Sequence, residues 1–299
     1  MSTLQRSSLP DDTARDAIAD RLVALKARAD LGPDDEATRE RFRTQLDHLT
    51  ADPGARYLTA PGLGAVLARV DTARGVLSVI ALIPDAAADA TAWRTALRDA
   101  GAAEGCRAVD LEVVAGDDLA LALQRPEDEV RATNMLRTLP APATDVRAVT
   151  LTPMDDDAYE RWRAADIDAY AAELVAAGAV SAEEAVAEAE KSLQTYLPDG
   201  RDTPGAHLWS AIEPESGTVV GMVWVDIDAA AAFVYAVEVD ESERRRGYGR
   251  AIMVAAADES HHRGAMQIGL NVFGPNVGAR ALYDSLGYRV TRQLIAIAC

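Results

Sequence analysis

Near the C-terminal end of the sequence, four arginines surround two glycines in the run Arg244, Arg245, Arg246, Gly247, Tyr248, Gly249, Arg250. An apolar stretch rich in valine, 230–239, precedes it, followed by a polar break at 240–243. A small, apolar segment, 251–257, follows and carries a helical pattern. The order is strand, loop, helix. Glycines at a helix start let the backbone come close to a ligand. The first N–H groups of a helix have no partner within it, and they stand at the positive end of its dipole. Four guanidinium groups add to that field in a chain whose formal charge is −18. Residues of these types in this order make an anion site suited to a phosphate or pyrophosphate.

Composition narrows the partners. A length of 299 residues suits two domains, and 49% apolar residues suffice for sizeable cores. The strong negative charge repels nucleic acid and anionic membranes, so neither is an expected partner. It keeps the surface soluble, and it would attract a cationic substrate. The two cysteines, Cys106 and Cys299, do not make a disulfide framework, and no metal-ligand spacing occurs, so no metal is expected. No apolar run is long enough to cross a bilayer. Residues 1–12 lack the basic start and apolar core of a signal peptide. The expectation is a soluble cytoplasmic protein, monomer or homodimer.

The elements that must position the arginine–glycine loop are read in order. Residues 1–12 are expected to be disordered. Helices are expected over 11–29 and from Asp34 or Asp35 to 49, with a carboxylate as the cap of the second. Strands at 64–70 and 76–83 form a hairpin, followed by helix 90–103, strand 108–114, helix 118–123 and strand 129–139. Pro140 and Pro142 mark a linker. Beyond it come strand 146–151 and helix 153–177, with Tyr159, Trp162, Ile167, Tyr170 and Leu174 on its apolar side. A capping-box pattern at Ser181–Glu184 opens a helix to 196. Strands 207–212 and 218–226 make a second hairpin, then the central strand, the loop and its helix, strand 267–273, helix 276–286 and strand 288–298. The closing order of the two halves is the same, which suggests an internal duplication. The domains are therefore drawn as a helical segment 1–54, a first copy 55–140 and a second copy 145–299.

Two motifs of the second half resemble the GNAT N-acetyltransferase superfamily. One is Arg244-x-x-Gly247-x-Gly249 after the central strand. The other is Asn276-x-x-Ala279-x-x-Leu282-Tyr283-x-x-x-Gly287-Tyr288, one strand later. The resemblance covers roughly residues 145–299. It implies a mixed α/β fold whose bent sheet is flanked by helices and splays apart between two strands, in two tandem copies. It also implies acetyl-CoA as the acyl donor, wedged into the splay. The pyrophosphate would rest on the 244–250 loop, and the pantetheine would pair with the backbone near Val237 and Val239. Asn271 and Asn276 are candidates to hold the pantetheine arm. At the corresponding point of the first half, residues 84–89 have no glycine or arginine and carry two carboxylates. That half is expected to scaffold, without binding CoA.

Acetyl transfer to an amine needs a neutral amine, a stabilised thioester oxygen and a proton for the departing thiolate. The resemblance assigns that last proton to Tyr283, which as a plain helix aromatic would do no chemistry. It assigns polarisation of the thioester carbonyl to the N–H of Val239 or a neighbour. Glu238 is the base candidate for the amine, with Asp226 and Asp228 as rivals. Each would otherwise be a solvated carboxylate at a strand end. Asn276 would equally serve as a helix cap. His261 and His262 point about 100° apart on a helix, a poor metal pair, and suit the helix C-terminus better. Cys299 has no base-bearing motif near it. The expected activity is direct transfer of acetyl from acetyl-CoA to a small cationic amine or a protein amino group. A non-catalytic acyl-CoA-binding or interaction module is the alternative.

Overall fold

The periodicities above become twelve strands and eight helices among the described residues of the computed structural model, which are 3–28, 35–85, 89–142, 145–176, 181–228 and 230–299. In chain order these begin with β1 (Gln5–Ser7), α1 (Asp12–Arg28), α2 (Glu36–Thr50), β2 (Ala55–Ala60), β3 (Gly64–Asp71), β4 (Val76–Pro84) and α3 (Ala90–Ala103). Next are β5 (Ala108–Val114), α4 (Asp118–Leu123), β6 (Glu129–Thr138), β7 (Thr150–Pro153), α5 (Asp156–Ala176), α6 (Ala185–Tyr196) and β8 (Ala206–Ile212). The chain ends with β9 (Val219–Asp228), β10 (Ala231–Val239), α7 (Tyr248–His262), β11 (Gln267–Phe273), α8 (Val277–Ser285) and β12 (Arg289–Ala298). The fold is mixed α/β, a splayed sheet flanked by helices. The sequence β-β-α-β-α-β occurs twice, from β3 to β6 and from β9 to β12, so the tandem repeat is present in the element order.

Two compact units form. The first comprises residues 1–134, 272–277 and 290–299; the second comprises 135–271 and 278–289. In the first, β1-β2-β3-β4-β5-β12 are hydrogen-bonded in that order. Its β4 and β5 run parallel and pair only through Val76–Ser78 and Ala108–Asp110 before parting. Trp93 and Leu97 of α3 pack with Val66, Leu77, Ile295 and Ile297 in one core. On the other face α1 and α2 bury Ile18 and Leu46 against Leu67 and Ala81.

In the second unit the order is β11-β10-β9-β8-β7. Here too the parallel pair is short. β10 and β11 pair from Ala231–Val234 to Gln267–Leu270 and then separate. One sheet face carries α5 and α6, whose Trp162, Ile167, Ala189 and Leu193 close on Leu208, Met222 and Trp224. α7 packs on β9 and β10 and buries Ile252, Met253 and Ala256 completely.

Several expectations are corrected. Residues 5–7, expected to be disordered, form β1 and pair with β2, while Leu4 is buried in the first core. An unpaired edge of β2 and an apolar residue at position 4 order this segment. β2 itself lacked a strand signal in the sequence. The strand expected at 146–151 is found at Thr150–Pro153, paired with β8. Tyr170, expected on the apolar side of α5, is exposed. The helix expected from Ser181 begins at Ala185; Ser181 donates to Glu184 from its hydroxyl at 2.7 Å. The caps near residues 29–34, the loop at 86–88, the linker at 143–144 and the end of α5 beyond 176 lie outside the described residues. Asp35 caps α2 as expected, accepting from the Thr38 N–H at 2.8 Å.

One close approach governs the second unit. Gly221 on β9 pairs with Val239, and a Cβ built there would lie 2.1 Å from the Glu238 carbonyl oxygen and 3.1 Å from Ile252. Backbone cannot yield to such an overlap as a side chain can. The expected result for Gly221→Ala is a loss of roughly 1–3 kcal/mol, seen as a melting temperature lowered by several degrees in calorimetry. An unchanged melting temperature would show that the two strands can part without cost.

Candidate functional site

β10 outruns its partner. The register slips between Val234 and Ala236: Val234 faces Val225, Ala236 faces Trp224, and Tyr235 is the extra residue of a β-bulge. From there to Val239 the strand still pairs with β9 but no longer with β11. Val237 and Val239 thus stand on a strand with one edge freed, where backbone groups need a partner from outside the sheet. Asn271 is the first residue of β11 beyond the pairing, and it is exposed.

After Val239 the chain makes one 3₁₀ turn, 241–243, and then the arginine–glycine loop. Arg245 and Gly247 both adopt left-handed backbone conformations, with φ of 63° and 88°. Such alternation turns successive N–H groups toward one side. α7 starts at Tyr248 with Gly247 at its cap and no side chain capping it. The first N–H to close a helical turn is that of Ala251, to the Gly247 carbonyl at 3.2 Å. The amides before it belong to the uncapped first turn. A Cβ at Gly247 would meet nothing, so the glycine answers to φ and to ligand room. At Gly249 a Cβ would rest at 3.6 Å from Leu282 and Val239, an ordinary contact.

The arginines divide. Arg246 pairs with Glu243 at 2.5 Å, Arg244 donates from Nε to the Val239 carbonyl at 3.3 Å, and Arg250 donates to the Ser285 hydroxyl at 2.5 Å. Arg245 makes no ion pair or hydrogen bond with another described residue. Tyr248 points inward. Its ring is 1% exposed, lies 4.9 Å from the Arg147 guanidinium, and donates its hydroxyl to Glu213. That hydrogen bond, foremost, holds the Glu213 carboxyl below its usual range. Tyr248 therefore offers its backbone to the loop while its side chain anchors the helix.

The two sequence motifs meet. Leu282 lies against Gly249, and Ser285 receives Arg250. Between them α8 presents Tyr283, 6% exposed, with burial raising its phenol above the ordinary value. Its ring centroid is 5.8 Å from that of Tyr288, whose hydroxyl is buried without a partner. Burial raises Tyr288 further, against the opposing charge of the buried Arg137. Asn276 directly precedes α8, donates its backbone N–H to Phe273 at 3.0 Å, and falls with the first unit.

A cleft of about 580 Å³ opens beside the end of β10, bounded by Trp162 of α5, Met222, Glu238, Val239 and Arg244. Glu238 is exposed to it. A further carboxylate, not among the sequence candidates, lies on α5. Asp166 of α5 is half-buried, and its pKa is raised by burial first, then by Glu238 and Glu173. Its signal was present: Asp166 stands at helical spacing from Tyr159 and Trp162, a charge on an apolar stripe. Asp226 and Asp228 lie at the far end of the sheet, opposite Phe233 and Ala231. Asp226 is also raised, by burial and by Asp228. His261 donates from Nδ1 to the Ala265 carbonyl at 3.2 Å, just beyond the end of α7. Among the described residues no group of three or more His, Cys, Asp or Glu is arranged to hold a metal. No helix there is long and apolar enough to cross a membrane.

The first unit treats the equivalent helix start differently. Asp89 caps α3 with its own carboxylate, accepting from the N–H groups of Thr91 at 3.1 Å and Ala92 at 3.3 Å. Where β4 and β5 part, Asp110 is buried and paired with Arg131 at 2.9 Å and Arg74 at 3.1 Å.

Residues 172–288 match the acetyltransferase (GNAT) family. The N-acetyltransferase YycN of Bacillus subtilis is 29% identical over 147 residues, 48% of this chain and 94% of that protein. The N-acetyltransferase YdgE of the same organism is 26% identical, again over 48% and 94%. A mycothiol acetyltransferase of Beutenbergia cavernae is 35% identical over 27% of this chain and 28% of its own. The crystal structure of a GCN5-related N-acetyltransferase from Sphaerobacter thermophilus covers 99% of this chain and 94% of its own, at 22% identity and a TM-score of 0.57. That likeness extends the fold over both copies.

The loop yields a direct test. Gly247→Asp puts a carboxylate into a field built for anions and a β-carbon at a left-handed φ. Calorimetry should find one CoA site per wild-type chain and at least about tenfold weaker affinity in the variant, with an unchanged circular dichroism spectrum. Equal affinity would remove the loop from the site.

Proposed function

Residues 172–288 form an acetyltransferase domain of the GNAT family, and on that premise we propose that the protein transfers acetyl from acetyl-CoA directly to an amine in a ternary complex. The observation that carries this reading is the junction of three features in one unit. These are the freed edge of β10, the uncapped N–H groups at Gly247–Arg250, and Tyr283 set beside them by the contact of α8 with the start of α7.

In this reading the pyrophosphate rests on the loop amides and Arg245. The pantetheine pairs with the backbone at Val237 and Val239, with Asn271 at the mouth of the gap. The amine attacks the thioester carbon; a C–N bond forms and the C–S bond breaks. Backbone N–H on β10 stabilises the carbonyl oxygen as it gains charge. Burial keeps the Tyr283 phenol protonated at neutral pH, so it can give its proton to the departing thiolate. The amine's proton passes to the Glu238–Asp166 pair, where burial and like charge raise the proton affinity of Asp166. Catalysis is assigned to the copy at 145–299. The copy at 55–140 is assigned a scaffolding role, supported by Asp89, whose carboxylate occupies the helix start where a phosphate would sit.

Two measurements test the roles. Tyr283→Phe should lower kcat by about 10²–10⁴-fold in thiol release from acetyl-CoA with a panel of amines, while CoA affinity stays within a factor of about three. CoA binding without turnover on any amine, in wild type and variant alike, would mean a binding module instead. The second is pH dependence. Activity requires an ionised acceptor and is lost as pH falls through its pKa. Glu238→Gln removes one of the charges that raise Asp166, so the acid limb of kcat/KM should move to lower pH. A limb that stays in place would take Asp166 out of the proton path.

A further inference from the structure

The bulge on β10 has a consequence for what the cleft receives. A bulge frees one residue from cross-strand pairing and re-aims its side chain. Here that residue is Tyr235, two positions before Val237 and therefore about 7 Å from it along the strand. Its ring ends a chain of aromatic contacts. Trp162 meets Trp224 edge-on at 5.7 Å, and Trp224 stacks on Tyr235 at 4.7 Å with 21° between planes. Phe233 meets Tyr235 edge-on at 5.0 Å, and Tyr196 of α6 leans against it at 5.3 Å and 53°.

The inner members are buried and the outer two are open. Trp224 is 5% exposed, but Tyr235 is 44% exposed and Tyr196 is 53% exposed. The tryptophan behind Tyr235 fixes the ring's position, and Tyr196 leans on it from α6 with its own ring open to solvent. The surrounding charge is negative. Asp226 acts on Tyr235 from the neighbouring strand, with Asp228 two residues beyond it, and Glu238 and Asp166 lie toward the cleft. His207 is near Asp226, with Arg263 near His207. No lysine or arginine stacks on Tyr196 or Tyr235 among the described residues. Rings held rigid, open to solvent and bordered by carboxylates attract an organic cation, through the negative ring faces and the summed charge.

We propose that Tyr196 and Tyr235 form an ammonium-binding subsite for the acceptor. Its occupant is a small, soluble amine that carries a second, retained positive charge. The retained ammonium rests on the two rings beside Asp226, while the other nitrogen reaches the thioester near Val237. A diamine with a short alkyl spacer satisfies the separation. Two adjoining exposed rings offer contact to a single ammonium group, which a small molecule supplies. This assignment rests on the acyl-transfer reading for the location of the thioester, but the cation site is measurable without turnover.

Tetramethylammonium is the probe, since it carries the charge and cannot be acylated. Titrated into the full chain with CoA bound, it should saturate in NMR shift or calorimetry, and neopentyl alcohol, its soluble neutral near-isostere, should not compete. Tyr235→Ala and Tyr196→Ala should each weaken it by about three- to tenfold, Asp226→Asn should weaken it, and Tyr235→Phe should retain it. Tyr196 is the exposed member, so its variant keeps the test valid should Tyr235→Ala not fold. In turnover, Tyr196→Ala should raise KM for diamines and leave KM for acetyl-CoA unchanged. The proposal is overturned if tetramethylammonium does not saturate, if the alanine variants bind it as tightly, or if the neutral isostere binds equally. A lysine peptide acylated better than every diamine would overturn the small-molecule assignment. Saturable, tyrosine-dependent binding with no turnover on any amine would sustain the cation site and remove the transferase reading; turnover without such binding would do the reverse.

Discussion

A peptide group deprived of a partner sets the terms for the second unit. β10 and β11 pair over four residues each and then part, and a bulge at Tyr235 accompanies the separation. Backbone N–H and C=O groups are obligatory hydrogen-bonding groups, so a strand edge opened inside a fold must be satisfied by water or by a ligand. Everything nearby keeps that edge in place. Gly221 lets β9 run close enough to hold β10 from its other side. α7 supports it with Ile252, Met253 and Ala256. α5 and α6 close over Met222 and Trp224 on the opposite face. The end of β10 is therefore held by packed elements on its paired edge and on both faces.

Charge is arranged around this gap at short range, against the sign of the whole chain. The loop's guanidinium groups are largely committed to fixed partners: Glu243, the Val239 carbonyl and Ser285. They hold the loop's shape more than they offer free charge. What remains for an anion is the set of uncapped amides and Arg245, whose field is strengthened by orientation and does not need a long side chain to move. Farther along β10 the carboxylates Asp166 and Asp226 act on Glu238's surroundings and on Tyr235.

The first unit fills the corresponding helix start with its own side chain. Its parallel strands also part early, after Ser78 and Asp110. Yet Asp89 fills the helix start with its own carboxylate, and Asp110 is paired with two arginines at the point of separation. The first N–H groups of α3 are thereby satisfied from within the unit. Trp93 and Leu97 centre the core of that unit.

Much of this was legible in the amino-acid sequence. Alternating and helical periodicities placed most elements, because burying one face is a local property of residue order. The arginine–glycine run and the Asn276–Tyr288 run located the loop and Tyr283, since glycine at a left-handed φ and an uncapped helix start leave residue-type marks. The segment at β1 was missed because it is ordered by a strand edge more than fifty residues away. Asp166 and the pair Tyr196–Tyr235 were missed as site features for the same reason: each gains its meaning from a residue on another element. Only the tertiary structure decided that Tyr248 turns inward, that Glu238 acts on a carboxylate of another element, and that Tyr235 is the bulged, exposed residue of β10. Sequence determines what each segment prefers to bury; which distant groups then share one small volume is decided by packing, and chemistry depends on that sharing.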